Sequence, residues 1–366
     1  VYNLINYRGH WLMKGKAILN AFLIFLFILG SVTISTAAAV ISVDSNGGGN
    51  YISIQEAVNN AQEGDTILVN PGIYKENVKV EKKVSILANS SSEAPGKRIY
   101  VLGTVLDEEV FYVNSSNVTI DGFFISGVSS GGDKYEVGIY LEGVENCSLS
   151  NNALIMNDVG ISLTGAKENY LVNNLVSLGY QGIALENSED NTLLGNLMLT
   201  NDMGILLYNS ANNTLMNNTA DSNTKGVSLE ASDMNALTSN TISKNEYGIF
   251  TLKSKSNVLF NNSLYLNGVG AYFNDSSDNT VYMNDFVNYI NAEDEGTNFW
   301  NTSSTGNYWD KYSGDDANGD RIGDTPYVIN ETTGSKDYMP LMNETSSYEV
   351  SENESEVDGN ETFVTN

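Results

Sequence analysis

Apolar positions along this chain keep time with a glycine. Glycines stand at 138, 160, 182, 204, 226, 248 and 270, each 22 residues after the last. One residue on come Ile139, Ile161, Ile183, Ile205, Val227, Ile249 and Ala271; three on come Leu141, Leu163, Leu185, Leu207, Leu229, Thr251 and Phe273. Eleven and sixteen on, the series Leu149, Leu171, Leu193, Leu215, Leu237, Leu259, Val281 and Leu154, Val176, Met198, Ala220, Ile242, Leu264, Phe286 recur. A fixed period of this size means a solenoid. Within a repeat apolar and polar residues alternate over three to five positions, which is strand spacing. Each repeat therefore reads as three short strands joined by three corners, and stacked repeats give an all-β, right-handed parallel β-helix with rungs about 4.8 Å apart. Two helices would barely fit in such a repeat, and the abundance of Asn, Ser, Thr and Gly disfavours them.

Polar residues hold the same period. Fourteen places after each glycine stand Asn152, Asn174, Asn196, Asn218, Asn240, Asn262 and Asn284. Nine on is Cys147, then Asn169, Asn191, Asn213, Asn235, Asn257 and Asn279, and nineteen on is Asn157, Gly179, Asn201, Asn223, Asn245, Asn267 and Tyr289. These sets mark the corners. Asparagine tolerates left-handed backbone angles, and a stacked amide donates to one neighbour while accepting from the next. The asparagines are expected to be structural, and Cys147, in a corner set, a buried free thiol.

A stack must cover its apolar ends. Ser53-Ile54-Gln55-Glu56 reads as a capping box, with Ile54, Ala57, Val58 and Ala61 on one helical face, so a short helix is expected to plug the N-terminal end. Strands are expected at 66–69, 78–80 and 84–88, with Pro71-Gly72 turning between the first two. Residues 117–125 read as a degenerate coil, and the stretch SGVSSGGDKYE after it as a projecting loop. Beyond Ala292, which keeps the register, Phe299, Trp300, Tyr308, Trp309 and Tyr312 are available to cover the last rung. The organisation is thus a leader over 1–39, an N-terminal cap and first coils over 40–106, regular coils over 107–292, a C-terminal cap over 293–341, and an acidic Ser/Thr/Asn-rich tail over 342–366 expected to be disordered. In the leader, Lys14 and Lys16 precede the apolar run 17–29, and Ala37-Ala38-Ala39 follows it, the layout of a secretory signal peptide. The chain is then expected outside the cell, at its surface or in a periplasm-like space, touching membrane only through the leader if that is not cleaved.

Charge narrows the partners. The chain carries 45 acidic and 18 basic residues, a net charge of -27, which excludes nucleic acid as a partner. Its one histidine, His10, lies in the leader, and Cys147 is its one cysteine. No nucleotide or haem is expected. The outward positions of the first strand, two and four places after each glycine, hold Tyr140, Glu142, Ala184, Glu186, Leu206, Tyr208, Ser228, Glu230, Phe250 and Tyr272. Tyr140, Tyr208, Phe250 and Tyr272 are candidates to stack on sugar rings. Glu186 and Glu230 lie two rungs apart, about 9.6 Å, near the upper end of the carboxylate spacing of inverting glycosidases, with the solvated face of an acidic chain as the plainer reading. Asp316, Asn318, Asp320 and Asp324 place oxygens at alternate positions between glycines, as in a looped calcium site, although the twelfth position is Tyr327 and not a bidentate glutamate. The rival is a turn-rich cap held by Asx bonds. Of the many Asn-x-Ser/Thr sequons, Asn343, Asn353 and Asn360 in the tail are the expected glycosylation sites, those within the ladders being sterically poor.

Taken as a set, YISIQEAVNNAQEGDTILVNPGIYKENVKV, the G-I-x-L…N-x-L…N coils and GNYWDKY…DANGDRIGDTPYVI resemble the NosD-like, carbohydrate-binding and sugar-hydrolase β-helix family, especially its archaeal cell-surface members. The resemblance covers roughly 40–341 and implies a secreted β-helix of pectin-lyase-like fold that binds polysaccharide or cell-envelope components, without implying one activity. A glycoside hydrolase using Glu186 and Glu230 is the alternative. The copper role that named the family is disfavoured, because copper sites want imidazole, thiolate or thioether donors.

Overall fold

The computed structural model describes residues 38–89, 98–128 and 135–345. The signal-peptide reading, part of the projecting loop, and the tail sequons Asn353 and Asn360 lie outside them. The described chain coils as a right-handed parallel β-helix whose strands form sheets of ten, twelve and eleven. The first sheet runs from Val78–Val80 through Val137–Glu142 and its repeats to Ile290–Asp294; the second carries Ser148–Ser150 and its equivalents; the third carries Ala153–Ile155 and its equivalents. Pairing in the regular coils is parallel with a 22-residue offset, as in Ile139 with Ile161 and Leu149 with Leu171. The inward series Ile139, Leu141, Leu149 and Leu154 and their repeats are buried in one continuous core.

The glycine that sets the period is required by close approach. A Cβ on Gly182, Gly204, Gly226 or Gly248 would stand 2.4–2.6 Å from the carbonyl oxygen of the glycine one rung up. Only a residue without a side chain lets the rungs meet there.

The amides stack in columns. Asn196 donates its backbone N–H (2.9 Å) and its Nδ2 (3.0 Å) to Oδ1 of Asn218, and Nδ2 also reaches the carbonyl of Leu171 at 2.8 Å. The same set of bonds runs from Asn152 to Asn284 and on to Asn307. Each buried amide is thereby satisfied, contributing roughly 1 kcal/mol net per bond. The left-handed residue, however, is not the ladder asparagine but the one before it: Asn151, Asn173, Asn217 and Asn261 carry φ near +55°, as do Met156 and Leu178 in another column. The tight turn exposes that residue and swings the next one inward, so the ladder position needs an amide, and its predecessor needs only to tolerate the strain.

The first corner is double, which corrects the count of three. Two left-handed residues occur between the first and second strands, for example Asn187 and Asp190. Between them a fourth column, Ser188, Ser210, Ser232, Ser254 and Ser276, is buried, each hydroxyl accepting from the backbone N–H one rung below. The last coil is one residue short: Ala271 pairs with Ala292, a 21-residue offset. That slip moves Tyr289 out to solvent and brings Asn288 above Asn267, whose N–H and Nδ2 it accepts at 3.1 and 2.8 Å.

Both ends are closed. Helix Ile54–Asn60 buries Ile54, Ala57 and Val58, followed by buried Ala61. Ser53 Oγ accepts from Glu56 N, but the rest of the capping is done by Glu76, whose carboxylate accepts from Ser53 Oγ (2.7 Å), Ile54 N (2.9 Å) and Gln55 N (2.9 Å). A carboxylate on the first turn also suits the helix dipole. Strands form at Thr66–Val69, Val78–Val80 and Ser85–Ala88, with a further one at Gly72–Lys75. At the C-terminal end Trp300 and Trp309 are buried, and Trp309 stacks between Phe286 and Tyr327 at 4.5 and 4.3 Å. Two buried carboxylates anchor the indoles: Asp294 accepts from Trp300 Nε1 at 2.8 Å and Asp337 from Trp309 Nε1 at 2.9 Å. Burial pushes the Asp337 carboxyl up from its ordinary range. Phe299 is 57% exposed and does not cover the rung.

Candidate functional site

The outer face of the first sheet is where the chemistry collects. The strand alternation breaks at each glycine, so the residue before it joins the outward side. Val137, Val159 and Ala184, with Tyr140 and Leu206 against them, form a small apolar cluster separate from the core. Ala184 and Ser228, read from the sequence as outward, are buried in this layer.

Toward the C-terminal end the face becomes an aromatic platform. Tyr247, Phe250 and Tyr272 lie with ring centroids 5.6–6.0 Å apart. The Lys225 ammonium sits 3.9 Å from the Phe250 centroid and 3.5 Å from Glu230 Oε1, and Ser228 Oγ donates to the same oxygen at 3.0 Å. Lysine over an aromatic face adds cation–π attraction. Burial, and then a hydrogen bond to Glu295, raise the Tyr272 hydroxyl above its usual range. Of the four predicted sugar-stacking residues, the structure brings Phe250 and Tyr272 together. Tyr208 stands by itself on the rung between Glu186 and Glu230, 49% exposed. Tyr140 lies six rungs from Tyr272, about 29 Å.

Tyr140 belongs to a second group. It packs 5.9 Å from Tyr112, whose hydroxyl donates to Glu142. That bond to a carboxylate, with burial, pushes the Tyr112 hydroxyl up to about 12. Beside it Asn77, Lys79, Glu108, Glu109 and Tyr112 line an open groove of about 430 Å³. Tyr112, Lys225 and Tyr247 were not singled out from the sequence. Lys225 and Tyr247 occupy the position before the glycine, in the same 22-residue series, so the signal was present; Tyr112 pairs with Tyr140 across 28 residues, so the regular coils expected from 107 begin only at Val137 and no period reaches Tyr112.

Glu186 and Glu230 share one column, each paired in register with Tyr208. Tyr208 fills the rung between them, and Glu230 is engaged by Lys225 and Ser228. The pair therefore does not face across an open space of the kind that holds a sugar and a water.

The sequence from 114 to 314 matches the family described as periplasmic copper-binding protein (NosD), more than half of the chain. The chain belongs to the NosD family. It is also 28% identical over 140 residues to a cell surface glycoprotein of Methanothermus fervidus, an alignment taking 37% of this chain and 21% of that protein, so the chain spans about a fifth of that relative's length. Among solved structures it is similar to an alginate lyase from Paenibacillus sp. str. FPU-7, with TM-score 0.54, 15% identity, and 72% and 98% of the two chains covered. The pectate lyase Pel9A gives TM-score 0.52 and 15% identity over 78% of this chain and 83% of its own. These likenesses show a pectate-lyase-like fold.

The family name raises copper, and the donors here do not fit it. Among the described residues no group of three or more His, Cys, Asp or Glu is placed to hold a metal. Cys147 is buried and free, its thiol pushed up by burial. In the Asp316–Asp324 loop the carboxylates serve the backbone instead: Asp316 accepts from the N–H groups of Gly319, Asp320 and Arg321, Asp320 from Ile322, and Asp324 from Ala317. Asn318 accepts from Asp320 N at 2.9 Å. The loop is thus closed by side-chain-to-backbone bonds, two of them Asx turns at Asn318 and Asp320.

Proposed function

We propose that this NosD-family chain is a cell-surface β-helix that binds polysaccharide along the outer face of its first sheet, without turning it over. The platform of Tyr247, Phe250 and Tyr272, edged by Lys225, Glu230 and Ser228, carries the reading. Sugar rings offer apolar C–H faces to such aromatics and hydroxyls to the polar edge, and a sheet with a regular 4.8 Å rung spacing suits an extended chain. The crowding of glutamates at 142, 186, 230, 293 and 295 favours a neutral glycan over a polyanion. A surface location is supported by the relative named a cell surface glycoprotein. Retention on a panel of immobilised polysaccharides, with assay for newly released sugar ends, tests the proposal. One polymer is expected to be retained and none cleaved, and Phe250→Ala with Tyr272→Ala is expected to weaken retention about 5- to 150-fold, at about 1–3 kcal/mol for lost stacking. Undiminished retention by the double variant would sink the reading. Release of sugar ends abolished by Glu186→Gln or Glu230→Gln would replace it with hydrolysis.

A further inference from the structure

Among the described residues, the ladder geometry separates a set of free corner sequons from a set whose groups are already engaged. In Asn212-Asn213-Thr214, Asn213 is the buried ladder amide, bonded to Asn235 above it. Asn212, one place earlier, is the exposed left-handed corner residue with φ +57°. Thr214 opens the second-sheet strand on its half-exposed outer side. Asn117-Val118-Thr119, Asn146-Cys147-Ser148 and Asn217-Asn218-Thr219 repeat this arrangement, with φ of +60°, +58° and +54° at the asparagine and a buried residue in the middle. None of the four corner side chains makes a hydrogen bond among the described residues. The expectation that ladder sequons are sterically poor is thereby reversed. The acceptor is never the ladder residue, because the two asparagines in N-N-T point opposite ways.

Four other sequons, at Asn261, Asn274, Asn301 and Asn330, are tied down. Asn301 accepts from Tyr338 N, and Asn330 donates to the Asp294 carbonyl. In Asn274-Asp275-Ser276 the required hydroxyl is the buried ladder serine, donating to the Asn274 carbonyl at 2.9 Å. Asn261 sits at a corner, but its Nδ2 is bonded to Ser239 Oγ at 3.0 Å.

We propose that Asn117, Asn146, Asn212 and Asn217 are N-glycan acceptors in the folded protein. The donor class is an oligosaccharide activated as a glycosyl phosphate on a lipid, supplied with its transferase by the cell. In the transfer the Asn Nδ2 forms a bond to the anomeric carbon, the bond from that carbon to the phosphate oxygen breaks, the phosphate leaves with the electron pair, and Nδ2 gives up one proton to a base of the transferase. Placement gives the modification a consequence. Asn117, Asn146 and Asn212 stand at the corner between the first and second sheets, and Asn217 at the corner between the second and third. Sugar would therefore border both edges of the second sheet and leave the outer face of the first sheet clear. Asn117 and Asn146 are on adjacent rungs, about 4.8 Å apart, so glycans there compete for space, whereas Asn212 is three rungs farther along.

The test is peptide mass spectrometry on the protein purified from the cells that make it. Glycan mass is expected on the peptides bearing Asn212 and Asn217 and on one of Asn117 and Asn146, with Asn261, Asn274, Asn301 and Asn330 bare. Bare Asn212 and Asn217, or equal occupancy of the four tied sites, overturns the proposal. Asn212→Asp and Thr214→Val, expressed in the same cells, should each remove the Asn212 glycan while far-ultraviolet circular dichroism stays unchanged. Persistence of the glycan in either variant would also overturn it.

Discussion

Glu136 offers the sharpest quantitative test of the structure. Its carboxyl is buried, Oε2 accepts from Asp158 N at 3.3 Å, and Oε1 is the one buried side-chain polar atom among the described residues with no partner. The carboxyl lies against Gly127, at a place where even a Cβ would meet it. Burial first, then the nearby Asp158 and Glu109 charges, push it up to about 8 from its ordinary 4.5. The folded protein thus keeps this proton to about pH 8, while the unfolded chain releases it near pH 4.5. The contribution is fully present below pH 4.5, is lost as pH rises toward 8, and is flat above that. At 1.36 kcal/mol per unit, the cost by pH 7 is about 3.4 kcal/mol as an upper bound, and about 2 kcal/mol once relaxation around the carboxyl is allowed for. Glu136→Gln removes the titration and keeps the shape. Urea unfolding of both proteins from pH 4 to 9 is the assay. The two are expected to agree within about 1 kcal/mol at pH 4, with the variant about 2 kcal/mol more stable at pH 7 to 8. A gap that stays constant with pH would refute the reasoning, since it would mean that Glu136 ionises alike in both states.

Other perturbations probe separate parts of the structure. Asn218→Ala strips the acceptor from Asn196 N and Nδ2 and the donor from the Leu193 carbonyl, and is expected to cost about 3–5 kcal/mol in denaturant unfolding; a loss under 1 kcal/mol would mean the column relaxes or is wet. Gly226→Ala sets a Cβ 2.6 Å from the Gly248 oxygen and should lower the melting temperature, at about 1–3 kcal/mol, with wild-type behaviour arguing against the close rung contact. Trp309→Phe takes the indole donor from buried Asp337 and is expected to cost about 1–3 kcal/mol, read by the loss of C-terminal cap protection in hydrogen exchange. Calcium at millimolar concentration is expected to leave the melting temperature unchanged, because the Asp316–Asp324 carboxylates already serve backbone amides; a rise of several degrees would assign the loop to calcium.

By itself the sequence determined the coil. In the regular coils the partner of a residue lies 22 places away, and at the glycine, asparagine and inward apolar positions it is mostly a residue of the same kind, so the glycine contacts, the asparagine columns and the apolar core could be read without coordinates. The serine column at 188–276 was equally available, being in the same period. Tertiary structure decided whatever depends on one place in the chain and not on the period. It chose which of two adjacent asparagines, 212 or 213, faces solvent, because that is set by the backbone hand at the corner. It brought Glu76 to the helix at Ile54 and Asp337 to Trp309 across unequal stretches of chain, and it shortened the final coil so that Asn288 and not Tyr289 completes a ladder. It also gathered Lys225, Tyr247, Phe250 and Tyr272 on one face, since the break in alternation at glycine turns the preceding residue outward. Periodic contacts are local in the repeat and so are written in sequence; contacts made once rest on where the chain happens to end, bend or slip, and only the folded molecule fixes those.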